Sequence, residues 1–120
     1  MAASCVFCEI VAGRAPALMV QEWDDAVAFM PRHPVVEGHT LVVPRVHVVD
    51  ATERPEVSGQ VMARAALVAA EARLCGGADG VNVITSAGAA ATQTMFHLHI
   101  HVVPRFFGDG ITLPWTGQKS

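Results

Sequence analysis

The spacing of apolar and polar positions divides this chain into segments of different period. Residues 17–23 and 26–30 are apolar-rich runs separated by Asp24-Asp25, a pattern that predicts a β-hairpin. Met30-Pro31-Arg32-His33-Pro34 reads as loop or edge, since two prolines remove ladder donors and bias their predecessors away from helix. Gly38-His39 leads into Thr40-Leu41-Val42-Val43-Pro44, a short buried strand. From about Glu53 to Leu74 the period becomes helical, with Val57, Val61, Ala65, Val68 and Ala72 on one apolar face, Pro55 in the first turn and Gly76-Gly77 at the stop. Val81-Asn82-Val83-Ile84-Thr85 predicts another strand, and 86–91 a loop of small residues. Strict alternation returns in Phe96-His97-Leu98-His99-Ile100-His101-Val102-Val103. As a strand, this segment sends His97, His99 and His101 to one face over roughly 13 Å, and Leu98, Ile100 and Val102 to the other. A short helix near 8–12 completes the list. About five strands around one long helix predict an antiparallel sheet in an α+β domain, because a parallel sheet needs a helix in every crossover.

Composition narrows the possible partners. A chain of 120 residues fits one domain, 1–120, and 52% hydrophobic residues argue for a packed core. The formal charge of −3 supplies no basic field for polymeric nucleic acid. No apolar run reaches the roughly 18 residues of a membrane helix. Met1-Ala2-Ala3-Ser4-Cys5 lacks the pattern of a signal peptide, so a cytoplasmic location is expected.

Two clusters carry candidate chemistry. Alternating imidazoles serve either a metal, with three protein ligands and an open position, or phosphate transfer, with one neutral imidazole as nucleophile and further donors for the oxygens. Gln93 and Thr94, just before the histidines, are donors of the second kind. Cys5 and Cys8 have the two-residue gap of a zinc knuckle but need two further ligands, the alternative being two reduced thiols in the core. Cys75, near the helix end, reads as a packing residue.

The run Gln93-Thr94-Met95-Phe96-His97-Leu98-His99-Ile100-His101-Val102-Val103-Pro104-Arg105 resembles the signature of the histidine triad superfamily of nucleotide hydrolases and transferases. The resemblance extends over nearly the whole chain. Cys5-Val6-Phe7-Cys8-Glu9-Ile10-Val11-Ala12-Gly13 is similar to the family's N-terminal block, and 34–47, with Gly38-His39-Thr40-Leu41-Val42-Val43-Pro44 and His47, to its second block. It implies a HIT-like fold in which His99 attacks the α-phosphorus of a nucleoside phosphoramidate or related conjugate and water releases the nucleoside monophosphate. His101 and the Thr94 hydroxyl are implied to hold phosphate oxygens, Thr94 also to assist the leaving group, and His39 to fix ring orientation from behind. The implied substrate-binding set is Phe7, Ile10 and Phe29 as walls for a purine, with Ser86, Gln93, Thr94 and His101. In zinc-bearing relatives the two remaining ligands correspond here to His47 and His97, which implies one structural Zn2+ in a set of Cys5, Cys8, His47 and His97. Relatives commonly form two-fold dimers, so a homodimer is implied, with the 53–74 helix as a candidate surface. The alternatives are a dinucleoside polyphosphate hydrolase and a non-catalytic nucleotide-binding or interaction protein.

Three positions depart from the family pattern. Pro31 stands where an acidic residue usually binds the ribose hydroxyls, Ser86 where Asn is common, and Thr92 where Gly is common.

Overall fold

The structure, a computed structural model, describes residues 5–114; the signal-peptide reading of Met1 to Ser4 lies outside the described residues. Five strands, β1 (Met19–Glu22), β2 (Ala26–Phe29), β3 (Thr40–Pro44), β4 (Gly80–Ile84) and β5 (Ile100–Arg105), form one antiparallel sheet in the order β1-β2-β3-β5-β4. A short helix, α1 (Val6–Val11), precedes the sheet and a long one, α2 (Pro55–Leu74), is inserted between β3 and β4. The expected α+β class and element order are both found. Among the described residues no helix is long and apolar enough to cross a membrane.

The hairpin turns at Asp24-Asp25, where the Trp23 N–H donates to the Ala26 carbonyl at 2.8 Å. β1 is an edge strand exposed along its whole length, and an irregular register between Met19 and Gln21 blunts that edge. β2 and β3 are buried on both faces, which explains their continuous apolar sequences. On one face Ala26, Ala28, Val42, Ile100 and Val102 meet Val57, Val61, Ala65 and Val68 of α2. The small alanines of β2 let the helix approach closely. On the other face Val27, Phe29, Leu41 and Val43 pack on Phe7 of α1. Burying each of the larger side chains contributes about 1.5–3 kcal/mol.

Three boundaries differ from expectation. α2 starts at Pro55 rather than at Glu53, because Glu53 directs its carboxylate to the Val49 N–H at 2.6 Å and Pro55, with no N–H to satisfy, suits the first turn. α1 starts two residues earlier than expected and ends one earlier, capped by the Cys5 Sγ that accepts from the Cys8 N–H at 3.4 Å. The histidine segment is regular strand only from Ile100, whose partner in β3 is Val42. Before that point a backbone bond from the Leu98 N–H to the Val48 carbonyl at 2.8 Å helps to hold the chain extended. The alternation survives: Leu98, Ile100 and Val102 enter the core beneath α2, while the imidazoles lie on the side of α1.

Candidate functional site

Hydrogen bonds set the protonation of the imidazoles one after another. The Val35 N–H donates to His39 Nδ1 at 3.1 Å, so His39 carries its proton on Nε2. That Nε2–H donates to His101 Nδ1 at 3.0 Å, which places the His101 proton on its own Nε2. His99 is held separately, its Nδ1–H donating to the His97 carbonyl at 2.8 Å, the tautomer that in a neutral ring leaves the lone pair on Nε2. The arrangement sets the His99 Nε2 beside the His101 N–H donor, with the two ring centroids 5.1 Å apart.

Burial supports this assignment. It pushes His101 down to about 4, and nearby His99 and His39 add to the effect. Burial also lowers His39. Phe7 meets the His99 ring edge-on at 5.2 Å and Phe29 at 5.4 Å, forming an apolar wall beside the imidazole. Gly38 sets up His39: its φ of +90° suits glycine, and a Cβ there would meet Pro104 Cγ at 3.2 Å.

These rings open into a cleft of about 1020 Å³. Of the expected substrate-binding residues, Phe7, Ile10, Phe29, Ser86, Gln93, Thr94 and His101 all line it, together with His99. Phe7 and Phe29 are nearly buried and contribute only a small part of their surface. The Gln93 amide is committed within the protein, donating to the Val49 carbonyl at 2.7 Å and the Met95 carbonyl at 3.0 Å and accepting from the Gly88 N–H at 2.8 Å. Its position braces the loop that presents Thr94. Thr92 adopts a left-handed φ of 75°, the only non-glycine residue with positive φ among the described residues, a conformation that glycine takes at less cost.

Two contributions had no signal in the sequence pattern. Thr85, at the end of β4, donates its hydroxyl to the His99 carbonyl at 2.7 Å and steadies the backbone on which that ring is mounted. Arg32 and His33 line the same cleft beside Pro31, although the two prolines marked their segment only as a loop. A second groove, of about 930 Å³ and lined among others by Val68, Ala72, Cys75, Pro104 and Phe106, contains no imidazole.

The other predicted cluster also assembles. Donor atoms of Cys5, Cys8, His47 and His97 all lie within 4.8 Å of one another. His97 Nδ1 is 3.4 Å from Cys5 Sγ and 3.5 Å from Cys8 Sγ, and His47 Nδ1 is 3.2 Å from Cys8 Sγ. A tetrahedron with Zn–S of about 2.3 Å and Zn–N of about 2.0–2.1 Å has S···N edges of roughly 3.6 Å, so the set fits such an ion. The His97 Nε2–H donates to the Pro44 carbonyl at 3.0 Å, which leaves Nδ1 free as a ligand. Burial and the adjacent Cys5 push the Cys8 thiol up to about 11, a cost that a dication between the sulfurs offsets.

The chain matches the HIT domain family model over residues 12–108. A HIT-like protein of Mycobacterium tuberculosis (strain ATCC 25618 / H37Rv) is 40% identical over 110 residues, which cover 91% of this chain and 76% of that one. An adenylylsulfatase of Arabidopsis thaliana is 34% identical over 102 residues, covering 84% of this chain and 52% of the other. Among solved structures, a Zn-bound histidine triad family protein from Mycobacterium smegmatis superposes with a TM-score of 0.85 at 42% identity, covering 92% of this chain and 81% of that one. With the fold, the imidazole relay and these matches in agreement, the chain belongs to the HIT domain family.

Proposed function

We propose that this protein is a nucleotidyl hydrolase that acts on the α-phosphate of nucleoside phosphoramidates or related conjugates through a covalent nucleotidyl-His99. The observation that carries the reading is the tautomer chain from Val35 through His39 to His101, with His99 bonded separately to the His97 carbonyl. It supplies a lone pair and a hydrogen-bond donor side by side in one cleft.

In the first step the His99 Nε2 lone pair forms a bond to the α-phosphorus while the bond from phosphorus to the leaving nitrogen breaks. The departing amine takes a proton from solvent through the Thr94 hydroxyl. Charge that develops on a non-bridging oxygen is met by the His101 Nε2–H. In the second step water attacks phosphorus, its proton returns to solvent through Thr94, and the N–P bond breaks to restore neutral His99. Nucleoside monophosphate is released. His39 positions His101, and Thr85 and Gln93 position the segments that carry His99 and Thr94.

Cys5, Cys8, His47 and His97 hold one structural Zn2+ in this reading. When bound, the ion fastens α1 to the histidine segment, and with it Phe7, which touches His99. The protein works as a homodimer in a reducing, cytoplasmic setting. The apolar Met62, Leu67 and Leu74 exposed on α2 and the position of β4 at the sheet edge support the dimer, and sedimentation velocity tests it.

The test is a turnover panel of adenosine and guanosine phosphoramidates, adenylyl sulfate and diadenosine polyphosphates. Release of monophosphate from a phosphoramidate by the wild type, lost in His99→Ala with the fold retained, is the expected result. Saturable binding without turnover assigns the protein to the non-catalytic class, and turnover of dinucleoside polyphosphates alone moves the scissile bond.

A further inference from the structure

The cleft around His99 and His101 has an unusual balance of polar groups at its rim. Among the described residues that line it, none is a carboxylate. Among the described residues its one permanently charged lining residue is Arg32, which is exposed and adjoins His33, with Pro31 and Pro34 on either side restricting the backbone of the pair. Arg14, Arg45, Arg54, Arg64 and Arg105 are each paired with a carboxylate, whereas among the described residues Arg32 in this cleft and Arg73 on α2 have no such partner. A free vicinal diol asks for acceptors, and Pro31 offers none. A phosphate monoester asks for donors, and a guanidinium matches two of its oxygens at once.

We propose that this cleft selects nucleotides whose ribose carries a phosphate ester at the 2′ or 3′ oxygen, with Arg32 and His33 as the specificity-determining pair. The inference rests on the reading of His99 as the reacting group, and it names the substrate class for that same site. The reacting phosphate is held at His101 and Thr94, and the sugar phosphate at Arg32 and His33. The two anionic groups thus engage different sets of side chains.

The experiment compares adenosine 5′-phosphoramidate with its 2′-phospho and 3′-phospho counterparts, by kcat/KM, in the full-length wild type and in Arg32→Ala, Arg32→Lys and Pro31→Asp. One phosphorylated substrate is expected to exceed the parent compound by about tenfold, the size of one charge-assisted contact at a solvent-accessible rim. That ratio is expected to fall to near unity in R32A and to survive in part in R32K. It is also expected to shrink as salt rises toward about 1 M, where the screening length drops to roughly 3 Å. P31D, which restores an acceptor, shifts preference toward the free diol. Equal kcat/KM for all three substrates overturns the proposal, as does a ratio that R32A leaves intact or an R32A defect of the same size on every substrate. If no phosphoramidate is turned over, the reading of the site as a phosphoramidate hydrolase fails. Equilibrium binding of adenosine 2′,5′- and 3′,5′-bisphosphate against adenosine 5′-monophosphate then decides the sugar-phosphate proposal, with about tenfold tighter binding of one bisphosphate expected and equal affinity contradicting it.

Discussion

Protonating His101 breaks the imidazole relay, and the structure sets the size of the penalty. Burial, reinforced by His99 and His39, holds the ring at about 4 against an ordinary value of 6.5. The folded state therefore binds fewer protons than the unfolded chain between these two values. The stabilisation that this difference supplies is fully present above about pH 6.5 and is lost as pH falls through about 4. A shift of this size corresponds to about 3 kcal/mol over the whole window, of which about 2 kcal/mol is lost between pH 7 and pH 5. Other groups titrate in the same range, so the informative quantity is a difference. His101→Gln retains a neutral donor and removes the titration, and urea unfolding of both proteins at pH 7 and pH 5 isolates the His101 contribution. Loss of metal from the Cys5/Cys8 cluster in acid is common to both proteins and cancels. The wild type is expected to lose about 2 kcal/mol more than His101→Gln on going from pH 7 to pH 5. Equal losses in the two proteins refute the assignment of a buried, neutral His101.

Other consequences follow from individual contacts. Thr85→Val removes the hydroxyl that bonds the His99 carbonyl at 2.7 Å, and is expected to lower kcat by about tenfold with the melting temperature nearly unchanged, measured by steady-state kinetics and calorimetry. Cys5→Ser/Cys8→Ser is expected to abolish stoichiometric zinc in elemental analysis and to lower the melting temperature, whereas a metal-free wild type purified without chelator contradicts the Cys2His2 site. Val61→Ala, at a fully buried position of α2, is expected to cost about 2 kcal/mol in urea unfolding with no change in KM.

Much of this arrangement is legible in the residues because local and global preferences coincide. The helical period through Val57, Val61, Ala65 and Val68 marks the buried face of α2, and each of these residues reaches the core. The His-x-His-x-His spacing separates imidazoles from aliphatics even where Phe96 to His99 forms no regular strand, since side-chain direction needs only extended backbone. Legibility fails where a role depends on partners remote in sequence. Gln93 presents itself as a donor to substrate, but its amide meets Val49, Met95 and Gly88, which no local pattern connects to it. Thr85 is an ordinary strand-end residue until the sheet sets it beside the His99 carbonyl. Arg32 and His33 sit between two prolines in a stretch whose local pattern marks only a loop, and only the folded cleft puts them among the imidazoles.

The central claim is that His99 forms the bond to phosphorus while His101 donates to the oxygens. Rapid quenching of wild type with adenosine 5′-phosphoramidate, followed by intact-mass measurement and fragmentation of the labelled peptide, tests it directly. The expected result is a single adenylyl group on His99 that decays as monophosphate appears. Turnover with no adduct on a timescale faster than the steady state, or an adenylyl group on His101, contradicts it.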